Sequence, residues 1–278
     1  IFSLESKCLA LQHILRAVVK PECKLRCLKF KLVSNINFLL KVLDSSEIMI
    51  RIRALCCKII STVCTVSQGL SAFYDSNTIP LLLEILVKCI DKYAKTEVDD
   101  EDRIEACGAL KQFSVSYIGT QMLVNTCKED KKTKKAPIED KIQADVLLSE
   151  TPQSSVISTL VWLICDSCTG ELLLYNCLYT LKQICAIPAG REKSARDGSG
   201  VLSAMEFTLK NRLHIKNLFQ TDVPLNNVIF ACNVIKNLCL DGRAKDTAVQ
   251  SMKIMGYFLS RATNQNHPEN LNFVSDKI

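Results

Sequence analysis

The sequence predicts an all-α fold, a right-handed α-solenoid of stacked helical repeats, on three observations. First, a small residue followed by apolar residues four and seven places on recurs five times, at Ala10/Ile14/Ala17, Cys56/Ile60/Val63, Ala106/Leu110/Phe113, Cys177/Leu181/Ile184 and Ala231/Ile235/Leu238. Second, a pattern spaced i, i+3, i+4, i+7 precedes three of these stripes, at Ile36/Leu39/Leu40/Leu43, Ile79/Leu82/Leu83/Leu86 and Ile157/Leu160/Val161/Ile164. Third, the 278 residues are 48% hydrophobic and 23% charged with only 9 Gly and 7 Pro, the composition of a folded, mostly helical chain. Residues at i, i+4 and i+7 share one face of a helix, so each trio is a stripe for burial whose small member admits a close neighbour. Successive small residues lie 46, 50, 71 and 54 apart, which suits a unit of two or three helices with an insertion in the third interval.

The elements follow in the same order in each unit. A brief helix after a Gly- or Pro-containing turn is predicted at Ser67 to Tyr74, Gly119 to Asn125, Pro188 to Arg196 and Gly242 to Gln250. The middle helix carries the second apolar pattern, and the long third helix carries the stripe. Glu47, Asp99 to Asp102 and Glu171 open third helices, where carboxylates meet the positive end of the helix dipole. Short, middle, long is the armadillo arrangement, whose third helix lines a concave surface; paired-helix HEAT repeats are the rival. The chain divides into armadillo-like repeats over 1–126, a basic inserted loop over 127–153, armadillo-like repeats over 154–262 and a polar tail over 263–278. The loop holds Lys128, Lys131, Lys132, Lys134 and Lys135, read as solvating an extended segment rather than as a nuclear-localisation or polyanion-binding cluster. Gly190 to Gly200 is read as a second mobile polar stretch.

A formal charge of +6 is too dilute for the basic stripe of a nucleic-acid binder, and nucleic acid is not an expected partner. Fifteen cysteines, an odd number, fall largely on apolar helical faces, as Cys56, Cys57, Cys64, Cys177, Cys185, Cys232 and Cys239 do. They read as small core residues, a use that fits a reducing, intracellular compartment. Ile79 to Ile90 is broken by Pro80, Glu84 and Lys88, so a membrane span is not expected. Beginning at Ile1 rather than Met, the sequence is read as an incomplete chain.

Cys165 and Cys168 form a CxxC, half of a zinc site or a redox pair, but His13, His214 and His267 are isolated and no second pair answers it. Cys23 and Cys27, spaced i, i+4, are expected to pack together. No Walker A, GxGxxG, GxSxG or HExxH motif is present. No catalytic residue, metal, cofactor or small-molecule substrate is therefore assigned, and the chain is not expected to be an enzyme. Trp162, between Val161 and Leu163, reads as core.

The residue six places after each small residue would lie beside a groove lined by third helices: Arg16, Thr62, Gln112, Gln183 and Asn237. Armadillo proteins that bind extended peptides, such as importin alpha and beta-catenin, carry an asparagine ladder at this register. Asn237 matches, while Gln112 and Gln183 offer similar donor and acceptor chemistry.

Local wording points to one family. Ala10-Leu11, Lys20-Pro21-Glu22-Cys23, Leu43-Asp44-Ser45, Met49-Ile50-Arg51-Ile52-Arg53, the Ser67 to Phe73 turn and Val156 to Trp162 follow in order. Together they resemble the radial spoke head 14 family, also called the rhabdoid tumour deletion region family, from about Ser3 to Arg261. The basic insertion, the start and a degenerate repeat around Met252 to Leu259 depart from it. The resemblance implies a non-enzymatic radial spoke component of the ciliary or flagellar axoneme, cytoplasmic, with other axonemal proteins as partners and no catalytic residue. The alternative is a soluble armadillo adaptor for peptides or nuclear-transport cargo.

Overall fold

The computed structural model describes residues 3–42, 44–87, 101–126, 155–166, 169–196, 199–212 and 222–240, with Val249, Lys253, Ile254 and Gly256 beyond them. Among the described residues every regular element is a helix and none is a strand. Two compact units divide the chain, Ile1–Thr126 and Cys127–Ile278.

The first unit contains α1 (Leu4–Ala17), α2 (Pro21–Lys29), α3 (Leu32–Leu40), α4 (Glu47–Val63), α5 (Ser67–Asp75), α6 (Thr78–Val87), α7 (Glu101–Ser114) and α8 (Tyr117–Asn125). The local sequence sets their ends. The Ser3 hydroxyl accepts from the Ser6 N–H ahead of α1, Pro21 supplies a ready-made φ at the start of α2, and the Ser116 hydroxyl accepts from the Gly119 N–H ahead of α8. Lys31 and Asn77 adopt left-handed φ angles of 57° and 55°, each turning a short helix sharply into the middle helix that follows.

Like helices then pack on like. The long helices α1, α4 and α7 lie side by side, α2 packs on α5, and α3 packs on α6. Burial follows the stripes: Cys56, Ile60 and Val63 on α4 and Ala106, Leu110 and Phe113 on α7 are wholly shielded, as are Ile79, Leu82 and Leu86 on α6. The first stripe is the exception. Ala10 and Ala17 are exposed and Ile14 only half-buried, while α1 buries Cys8, Leu11 and Val18 instead. Its principal neighbour among the described helices is α4, so one side of α1 is covered where α4 is covered on two.

In the second unit stand α9 (Val156–Cys165), α10 (Glu171–Ala186), α11 (Pro188–Ala195), α12 (Val201–Phe207), a π-helical turn over Thr208–Arg212, and α13 (Asp222–Cys239). A capping box in which Ser155 and Ser158 satisfy each other's backbone N–H groups starts α9. The long pair α10 and α13 and the middle pair α9 and α12 pack like on like. Ile157, Leu160, Val161 and Ile164 are buried as the pattern requires, but Trp162 is half-buried rather than core. Residues Gly190 to Ala195 are helical, correcting their reading as a mobile stretch, because Gly190 and Ser194 are buried on one face of α11.

A glycine fixes how each short helix meets the long helix before it. Gly69, Gly119 and Gly190 each stand thirteen residues after the small stripe residue. A Cβ there would lie 2.3 Å from the Val63 carbonyl oxygen, 2.0 Å from that of Phe113 and 1.9 Å from that of Ile184, closer than any side chain can approach. These carbonyls belong to the last residue of the preceding stripe, so backbone meets backbone at the same place after three of the stripes.

Candidate protein-binding face

The five register-matched residues fall on the long helices, three of them on the successive helices α1, α4 and α7 of the first unit and two on the adjacent helices α10 and α13 of the second. In the first unit, Thr62 on α4 and Gln112 on α7 are half-buried, and Arg16 is exposed on α1. The Thr62 hydroxyl donates to the Lys58 carbonyl at 2.8 Å, one turn back along its own helix. In the second unit, Gln183 on α10 donates through Nε2 to the Tyr179 hydroxyl at 3.1 Å. Asn237 on α13 reaches across to the Lys182 carbonyl on α10 at 3.4 Å. One donor of each amide is thus engaged within the chain.

The surroundings of these residues differ in charge between the units. Beside Thr62, Lys58 pairs with Glu101 at 2.7 Å and with Glu105 at 3.6 Å. Burial works against the Lys58 charge, but the two carboxylates outweigh it and hold the ammonium above its ordinary range. On the second unit's face no such pairing is present among the described residues. Lys182 Nζ sits over the Tyr179 ring at 4.7 Å and the Phe230 ring at 4.8 Å, and burial lowers its pKa. Phe230 in turn contacts Tyr175 at 5.3 Å and Tyr179 edge-on at 5.4 Å between ring centroids. The pattern of apolar stripes did not single out this cluster. Its readable signal was a lysine five places after the small residue in three repeats, Lys111, Lys182 and Lys236, with Tyr175 and Tyr179 spaced i, i+4 on the same helix as the second of these.

Ion pairing also locks the helices beneath these faces. Arg53 and Asp102, 0% and 2% exposed, meet at 2.6 Å between α4 and α7. The same guanidinium donates to the carbonyls of Val42 at 2.9 Å and Asp44 at 2.7 Å, tying the α3–α4 connection to α7. Asp102 therefore does more than meet a helix dipole. At the corresponding place in the second unit Asn227, wholly buried, donates to Glu171 of α10 at 2.9 Å.

The thiols divide by burial. Cys56, Cys57, Cys64, Cys177, Cys185 and Cys232 are buried, whereas Cys239, expected in the core, is exposed at the last position of α13. Its counterparts Cys64 and Cys185 are covered where α5 and α11 pack back on the long helices; the segment following α13 lies largely outside the described residues. Burial pushes Cys56, Cys185 and Cys232 up to about 12, so these thiols stay protonated at neutral pH. Cys23 and Cys27, both half-buried, share one face of α2 by their i, i+4 spacing, and burial, then the neighbouring Cys23, raises the Cys27 thiol. Cys165 is half-buried, and Cys168, His214, His267 and the lysines of the 127–153 segment lie outside the described residues. Among the described residues no three His, Cys, Asp or Glu side chains gather as metal ligands, and no helix is long and apolar enough to cross a membrane. No family model matches the chain, and no curated protein matches it either.

Proposed function

We propose that the chain is a non-enzymatic armadillo-type solenoid that holds other proteins, and that it serves in the radial spoke of the ciliary or flagellar axoneme. The observation that carries the solenoid reading is the packing of like helices: α1, α4 and α7 in one unit, α10 and α13 in the other, with short and middle helices matched in the same way. A three-helix period is the armadillo period, whereas paired-helix repeats would return every second helix. Such arrays present an extended surface whose stability comes from contacts between neighbours, a form suited to holding partners at fixed spacing. The axonemal setting rests on the ordered resemblance from Ser3 to Arg261 to the radial spoke head 14 family.

Tagging the protein in a ciliated or flagellated cell tests the setting. Signal along the axoneme that survives detergent extraction of the membrane is the expected outcome, and a diffuse cytosolic or nuclear signal would overturn it.

A further inference from the structure

We propose that the edge of the first unit formed by α2, the Phe30–Lys31 turn and α3 docks on an anionic phospholipid surface, with its lysines and arginines on the phosphates and Phe30 and Phe38 inserted among the headgroups. Residues 16–41 hold seven Lys and Arg against one acidic residue, Glu22, a net charge of +6 that equals the formal charge of the entire chain. Lys24 is the buried one of the seven, and its ammonium donates to Thr65 at 2.6 Å. Arg16, Lys20, Arg26, Lys29, Lys31 and Lys41 are exposed, and among the described residues none of them meets a carboxylate. The cation at the joint between α4 and α7 is paired instead, Arg53 with Asp102. Two aromatic rings stand among the unpaired charges, Phe30 78% exposed and Phe38 68% exposed.

The outward face of α3 decides which anionic partner fits. Lys31, Asn35, Phe38 and Val42 share that face by helical spacing, with Ser34 and Lys41 beside them, and all six are exposed, opposite the buried Ile36 and Leu40. Cations therefore stand at the two ends of the face and its middle is uncharged and partly apolar. An acidic protein segment or a nucleic acid, charged along its length, leaves that middle without a partner. A lipid layer supplies phosphates for the lysines and an apolar interface for the rings. Because α2 packs on α5 and α3 on α6, the sides of α2 and α3 turned away from those two helices lie along one edge, where Lys29 and Phe30 join Lys31. The contact is peripheral, as no described helix is long and apolar enough to cross a bilayer.

This inference goes beyond the scaffold reading and stands without it. The test is cosedimentation of the full chain with phosphatidylcholine vesicles, either plain or containing about one third phosphatidylserine. Pelleting with the anionic vesicles alone is expected, with affinity weakened about tenfold in Lys29→Gln/Lys31→Gln and about tenfold in Phe30→Ser/Phe38→Ser. All four side chains are exposed, so their loss leaves the core intact. Lys236→Gln/Lys253→Gln removes the same charge from exposed positions elsewhere and is expected to bind as the parent does. In Phe30→Trp, a blue shift of the emission beyond that of the parent chain on adding anionic vesicles reports insertion of the ring. No pelleting, equal pelleting with plain vesicles, or an equal loss in Lys236→Gln/Lys253→Gln would each overturn the proposal. So would unchanged affinity in Phe30→Ser/Phe38→Ser, the outcome for a bare polyanion patch that takes an acidic protein or a nucleic acid. Vesicle binding with a diffuse cellular signal would remove the axonemal setting alone; axonemal localisation without vesicle binding would remove this inference alone.

Discussion

Replacing Asp102 by Ala would leave the Arg53 guanidinium, fully shielded from water, bonded to the carbonyls of Val42 and Asp44 but without its carboxylate. A buried ion pair broken on one side costs about 3–5 kcal/mol, whereas exchanging both partners for apolar residues of similar volume is close to neutral. Urea denaturation should therefore show Asp102→Ala destabilised by about that amount and Arg53→Met/Asp102→Leu recovering most of it. Thiols give a prediction of a different kind. An unfolded chain releases thiol protons near pH ~8.5, while folded Cys56, Cys185 and Cys232 keep theirs up to about 12. Between those values the folded state binds more protons, so stability falls as pH rises through that window. At pH ~10 each such thiol contributes a loss of about 2 kcal/mol. Urea midpoints measured under reducing conditions at pH 7 and pH ~10 should differ less in Cys185→Ala than in the parent chain; equal differences would refute the assignment.

The contacts of Gly69, Gly119 and Gly190 make a claim about how helices meet. A methyl group at Gly190 must displace the Ile184 carbonyl, 1.9 Å away, and both atoms belong to stiff backbone. Gly190→Ala is expected to lower stability by about 1–3 kcal/mol, seen as a lower melting temperature. Gly256→Ala, with nothing within 4 Å, should leave it unchanged or slightly raised. Helix faces were largely legible beforehand, since apolar spacing reports which side of a helix avoids water: α4, α6, α7, α9 and α10 bury the residues that the spacing names. What spacing cannot report is whether a neighbour is present. Ala10/Ile14/Ala17 has the right pattern on a helix whose principal described neighbour is α4 alone, and Cys239 has the right pattern but is exposed at the last position of α13. The face on α10 and α13 was half-legible for a related reason. Gln183 and Asn237 could be placed by register, but the aromatic seat under Lys182 needs Tyr179 and Phe230, 51 residues apart in sequence, to be brought together by helix packing.

Each of the two compact units carries a helical core of its own. In the first, α4, α6 and α7 bury their stripes among the described helices, and Arg53 of α4 joins the α3–α4 connection to α7 within that unit. Residues 1–126 expressed alone are therefore expected to give a helical far-ultraviolet spectrum and a cooperative urea transition; a featureless, non-cooperative loss of signal would show that this core does not close by itself. The joints between successive long helices are also not alike. One is an arginine against an aspartate, the other an asparagine against a glutamate. Repeats are often treated as interchangeable beads, yet a chimera placing α13 directly after α4 would set Asn227 where the Arg53 guanidinium awaits a carboxylate. The order of the modules is thereby spelled into their seams, and recombination within this chain would tolerate only those exchanges that carry both halves of a seam together.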